Sequence, residues 1–236
     1  MTSADFDAVL FDLDGVLTPT AEVHMRAWHR MFNDFLSDRG EQPYTDADYH
    51  HYVDGKPRYD GVRDFLASRD INLPEGDPTD SADTETVCGL GNRKNLVFNQ
   101  VLAAEGVQPY PGSVRYLDHL FGLGVRMAVV SSSKNAPAVL AAAGLAERFP
   151  VVVDGQVAAD EGLAGKPAPD TFWRAAELLG VPHERCVVVE DAISGVRAGA
   201  AGGFAQVIGV DRGVGAAALT EAGADIVVGD LAELTA

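Results

Sequence analysis

The stretch Ala8-Val9-Leu10-Phe11-Asp12-Leu13-Asp14-Gly15 decides how the rest of this chain is read. Four consecutive apolar residues bounded by Asp and Gly suit a strand buried on both faces of a sheet. Ending in two acids and a glycine, such a strand delivers carboxylates to the carboxyl edge of the sheet, where open α/β folds bind ligands. Buried carboxylates are costly unless a cation or hydrogen bonds compensate them. A metal site is the first expectation. The plainer alternative is an ordinary strand that stops at a turn, with Asp12 and Asp14 solvated.

Composition narrows the classes. The 236 residues, 47% of them hydrophobic, suffice for one or two globular domains and argue against a disordered chain. No apolar run is long enough to span a bilayer. The opening Met1-Thr2-Ser3-Ala4-Asp5 lacks the basic start and apolar core of a secretion signal, so a cytoplasmic location is expected. Cys88 and Cys186 lie far apart and share no metal-ligand spacing, which reads as reduced structural thiols. A net charge of -17 argues against nucleic acid or an anionic membrane as partner. It would also repel an anionic substrate at long range, so the positions of the few Lys and Arg residues become informative. The acidic surface itself reads as a solubility feature.

Past Gly15 the pattern changes. From about Ala21 to Glu105 the chain is polar and helical, with Trp28, Met31, Phe32 and Phe35 at helical spacing and a Pro/Gly-rich loop at 73–78. After Tyr110-Pro111-Gly112, helices alternate with strands expected at Val125–Ser131, Pro150–Asp154, Cys186–Glu190, Ala205–Val210 and Asp225–Val228. That alternation means a parallel sheet with right-handed crossovers. The simplest architecture is an α/β core of residues 1–18 and 106–236, with a helical domain of residues 19–105 inserted after the first strand. Paired linkers near Thr18–Thr20 and Val107–Tyr110 would serve as a hinge.

Three more clusters fall at expected strand ends. Ser131-Ser132-Ser133-Lys134-Asn135 offers hydroxyls, a cation and an amide beside fresh helix-start N–H groups, a setting for phosphate oxygens or for a plain serine cap. In Gly165-Lys166-Pro167-Ala168-Pro169 a lysine sits in a stiff loop that can aim its ammonium; alone, it reads as a surface lysine. Val187-Val188-Val189-Glu190-Asp191 repeats the opening logic. Asp12, Asp14, Glu190 and Asp191 at one sheet edge would repel one another without a cation. All-oxygen ligation with no His or Cys nearby points to Mg2+.

These four segments, in this order, resemble the motifs of the haloacid dehalogenase superfamily of aspartate-nucleophile phosphotransferases. The resemblance implies a Rossmann-like parallel sheet core with an inserted helical cap domain. It also implies Asp12 as nucleophile forming an aspartyl-phosphate and Asp14 as general acid/base. Mg2+ would lie between the Asp12 carboxylate, the Asp14 backbone carbonyl and Asp191, with Glu190 bound directly or through water. Ser131, Ser132 and Lys166 would hold the phosphoryl oxygens in flight.

Within the cap, His24, Trp28, Gly55-Lys56-Pro57-Arg58 and Lys94 are similar to the β-phosphoglucomutase-like subfamily, as are Ser133, Lys134 and Asn135 in the second motif. By that likeness the substrate is a sugar phosphate, and Arg58 grips the distal phosphate of a sugar bisphosphate through a bidentate fork. The implied reaction converts β-glucose 1-phosphate to glucose 6-phosphate through the 1,6-bisphosphate, in a monomer. The alternatives are a sugar-phosphate phosphatase, a non-catalytic sugar-phosphate sensor and, ranked low, a phosphonate hydrolase. Pro19 and Ala192 depart from the subfamily pattern, which has Asp and Ser there. Taken singly, Trp28 reads as core and His24 as solvated; Lys56 and Arg58 could form a surface pair among Asp54 and Asp60, but for Arg58 the functional reading is favoured.

Overall fold

The computed structural model describes residues 6–235. The N-terminal pentapeptide Met1–Asp5, read above for the absence of a secretion signal, lies outside them. Contacts divide the described chain into two units, one running to Pro19 and resuming at Val107, the other spanning Thr20–Gly106. Among the described residues no helix is long and apolar enough to cross a membrane.

Strand β1 (Ala8–Phe11) is buried at every residue. The chain then enters the helical unit: α1 (Thr20–Ser37), the single turn α2 (Asp46–Asp48) running into a π-helical turn at Tyr49–Val53, α3 (Arg58–Ser68) and α4 (Val87–Glu105). Val23, Ala27, Trp28, Met31, Phe32, Phe35 and Leu36 recur every three or four residues along α1, and all are buried. Trp28 stacks on Phe32 with 5.3 Å between ring centroids, and Phe32 meets Phe65 of α3 at 4.2 Å. Each such ring contributes about 1.5–3 kcal/mol through burial. Thr86 caps α4, accepting a 2.9 Å hydrogen bond from Gly89 N. Arg26 near the start of α1 pairs with Glu105 at the end of α4 at 3.1 Å, so the two ends of the unit are neighbours.

The second unit continues with α5 (Pro111–Gly122), β2 (Arg126–Val130), α6 (Ala136–Ala142), β3 (Val151–Val153), α7 (Gly155–Glu161) and α8 (Asp170–Leu179). It ends with β4 (Cys186–Glu190), α9 (Ile193–Ala201), β5 (Gln206–Val210), α10 (Ala216–Ala222) and β6 (Ile226–Val228). The expected strands are all present, each end within one residue of its sequence-derived position. They form one parallel sheet in the order β3-β2-β1-β4-β5-β6. This is the doubly wound arrangement in which crossovers turn opposite ways on either side of β1. Ala8 lies level with both Arg126 and Cys186, so β1, β2 and β4 finish side by side. Their carboxyl ends carry Asp12, Ser131 and Glu190.

Candidate active site

Lys166 is the hub of the α/β unit's sheet edge. Its Nζ lies 2.6 Å from Asp12 Oδ1, 2.6 Å from Glu190 Oε1 and 2.9 Å from the carbonyl of Val130, with the Phe172 ring beneath it. All three charged groups are buried. Burial works against the lysine charge, yet Asp12 and Glu190 hold its ammonium above the usual lysine range. For Asp12, burial, reinforced by Glu190 and Asp14, pushes the carboxyl well up while Lys166 opposes. Three carboxylates against one ammonium leave negative charge uncompensated.

Glu190 is bound on both oxygens. Besides Lys166, its Oε2 accepts hydrogen bonds from Asp191 N at 3.0 Å and Ala192 N at 3.1 Å. Only glycine fits at 195, because a Cβ there would overlap the Glu190 carboxylate. Gly15 (φ +91°) plays the same part for Asp191, whose carboxylate occupies the space a side chain would need. Oxygens of Asp12, Glu190 and Asp191 lie within 4.8 Å of one another. An all-carboxylate, buried and under-neutralised set of this kind fits a hard dication. Asp12 and Asp191 would hold it, with Glu190 beside them: its Oε1 is within ion-pair distance of Lys166 yet makes no hydrogen bond among the described residues.

Ser131 Oγ donates to Asp14 Oδ2 at 3.4 Å and accepts from Ser133 N at 3.1 Å, and Ser133 Oγ accepts from Asn135 N at 3.1 Å. The serine run therefore caps its own turn while keeping Ser131 beside Asp14; Ser132 is half-buried in that turn. Lys134 is exposed and reaches Gln156 Oε1 at 3.2 Å.

On the helical unit, His24 and Lys94 are in contact through Nδ1 and Nζ. Lys94 also lies over the rings of Trp28 and Phe98 at 5.0 and 5.1 Å. Burial, with the Lys94 and Arg58 cations beside it, drives His24 well below the usual histidine range. His24 is therefore neutral, and its Nδ1 accepts from the Lys94 ammonium. Trp28 is 4% exposed and belongs to the core of this unit, lending Lys94 only a ring face. Lys56 is paired with Asp64 at 2.6 Å, and Gly55 turns the loop at φ +70° just ahead of Arg58.

Two residues of this architecture carried no sequence signal. Arg212, after β5, donates from Nε to Gly15 O at 2.8 Å and from Nη1 to Gly229 O at 3.0 Å, and stacks on Tyr110 at 3.9 Å. It thereby ties the loop after Asp14 to the far side of the sheet edge. Ser113 Oγ donates to Val16 O at 2.7 Å. Position at the same carboxyl edge is the clue that could have found Arg212.

Fold and site together define an enzyme whose carboxylates converge where the sheet reverses its winding. The chain belongs to the haloacid dehalogenase-like hydrolase family, which it matches over residues 6–203. It is 52% identical over 237 residues to a β-phosphoglucomutase of Mycobacterium bovis, covering 96% of this chain and 90% of that relative. With a Bacillus subtilis β-phosphoglucomutase it shares 33% identity over 230 residues, 97% of this chain and 91% of that one. The crystal structure of a Clostridium difficile β-phosphoglucomutase superposes with a TM-score of 0.77 over 97% of this chain and 93% of that chain. At 23% identity this last is a likeness of fold.

Proposed function

We propose that the chain is an Mg2+-dependent β-phosphoglucomutase, moving phosphate between carbons 1 and 6 of β-glucose through the 1,6-bisphosphate. The observation that carries this reading is the convergence of Asp12, Asp14, Ser131 and Lys166 on one sheet edge. The relatives named β-phosphoglucomutase support the choice of substrate. Mg2+ bound at Asp12 and Asp191 supplies charge neutralisation and Lewis-acid polarisation of a phosphoryl oxygen.

An Asp12 oxygen attacks phosphorus, forming the aspartyl-phosphate as the bond from phosphorus to the sugar oxygen breaks. Asp14 gives its proton to the departing sugar oxygen and later takes one from the hydroxyl that accepts the phosphoryl group back. Lys166 and Ser131 stabilise charge on the equatorial oxygens during both transfers. Residues 19–105 act as the cap that sets substrate choice, with Arg58 binding the second phosphate and Lys94 with His24 supporting it. Residues 1–18 and 106–236 act as the catalytic core.

The test is incubation with β-glucose 1-phosphate, Mg2+ and a trace of the bisphosphate. Glucose 6-phosphate should accumulate, and Asp12→Asn should abolish it. Inorganic phosphate as the main product would instead establish the second reading, a sugar-phosphate phosphatase, which the hydrolase description of the family favours.

A further inference from the structure

Most arginines of the helical unit meet acids. Arg26 pairs with Glu105, Arg39 with Glu85, Arg63 with Glu75 and Arg69 with Asp48. Arg58 does not. Among the described residues its guanidinium meets only neutral groups, donating from Nη1 to Asn92 Oδ1 at 3.4 Å and lying 5.9 Å from the Tyr59 ring. In a chain of net charge -17, a half-buried cation left without a carboxylate keeps its charge for an incoming anion.

Asn92 is committed to that arrangement. Its Oδ1 also accepts from Tyr59 Oη at 3.0 Å, while its Nδ2 donates to the carbonyls of Pro78 at 3.0 Å and Asp80 at 2.9 Å. Both amide hydrogens and both oxygen lone pairs are therefore used, and the orientation of the amide is fixed. The loop that supplies those carbonyls is itself tied down. Asp80 Oδ2 accepts from Thr86 Oγ1 at 2.6 Å and from Asp77 N at 3.1 Å, and Arg93 Nε donates to Ala82 O at 2.8 Å. At Gly91 a Cβ would lie 2.8 Å from the Tyr59 ring and 3.0 Å from Arg58 Cδ, so glycine is what lets α4 approach the arginine.

We infer that Asn92 is a positioning residue for specificity: anchored to the 78–86 loop, it aims Arg58 at a second anion without neutralising it. This inference rests on the proposed role of Arg58 and extends it to the residue and loop that hold it. A carboxylate at the same place would be wrong twice over, forming an ion pair with Arg58 and facing two carbonyls with no hydrogen to give.

The test compares β-glucose 1,6-bisphosphate, which carries a second anion, with acetyl phosphate, which does not. Asn92→Ala should raise KM for the bisphosphate about tenfold with kcat within about twofold, and Asn92→Asp should raise it further. Both should leave acetyl phosphate turnover unchanged. In an Arg58→Ala background, Asn92→Ala should add nothing further. An unchanged bisphosphate KM, an equal loss on acetyl phosphate, or an additive effect in that background would overturn the inference. If Arg58→Ala itself leaves KM unchanged, the second-anion reading fails first and takes this one with it.

Discussion

Lys166 lies between Asp12 and Glu190, and its buried ammonium pairs with both carboxyl groups. Lys166→Met keeps much of the stem but strands two buried acids. Removing one partner of a buried ion pair typically costs about 3–5 kcal/mol. Losing a preorganised cation from a transferring phosphoryl group costs roughly 10²–10³ in kcat, by analogy with an oxyanion donor. Both losses are expected together, read from urea denaturation and steady-state kinetics. A variant whose kcat falls less than about threefold would remove Lys166 from the chemistry. Gly15 and Gly195 belong to the same argument, since each leaves a space that a catalytic-edge carboxylate fills.

At the scale of elements, α1 is the keystone of the helical unit. Phe32 is fully buried and touches Trp28, Tyr44 and Phe65. Phe32→Ala should destabilise this unit by about 3–5 kcal/mol. Each unit holds one tryptophan, Trp28 in the helical unit and Trp173 in the α/β unit. Urea titration of the Trp28 signal in a Trp173→Phe background therefore checks it. A midpoint unmoved by Phe32→Ala would mean that α1 is not where this unit's stability lies. The α1 stripe and the five later strands were legible because apolar periodicity is a local signal. The sheet edge was legible too, since acids closing a valine run leave a distinctive trace. The role of Asn92 was not: its partners Tyr59, Pro78 and Asp80 come from elsewhere in the chain, and an isolated asparagine in a helix carries no pattern. Lys56 looked like Arg58's companion in the text, and only coordinates pair it with Asp64.

On the scale of the whole molecule, Asp12 near one end of the chain and Asp191 near the other belong to one carboxylate cluster. A dication held there binds the folded state and not the unfolded chain. At a hundredfold excess over Kd it should add roughly 2.7 kcal/mol to stability. Thermal denaturation should show Tm rising with Mg2+, falling back with chelator, and indifferent to both in Asp191→Asn. A Tm of the parent protein that ignores Mg2+ would sink the metal assignment.

The ion pair between Arg26 and Glu105 has a bearing on biosynthesis. β1 is synthesised before the helical unit, yet its sheet neighbours β2 and β4 are made only after the whole of that unit. Closing so long a loop as random coil is entropically unfavourable, and each halving of its effective length recovers about 0.6 kcal/mol. Once the four-helix insert has folded, its entry and exit are held together, and the polypeptide on either side behaves as though it were nearly continuous. A folded insert of this kind lowers the entropic cost of pairing an early strand with partners translated long after it.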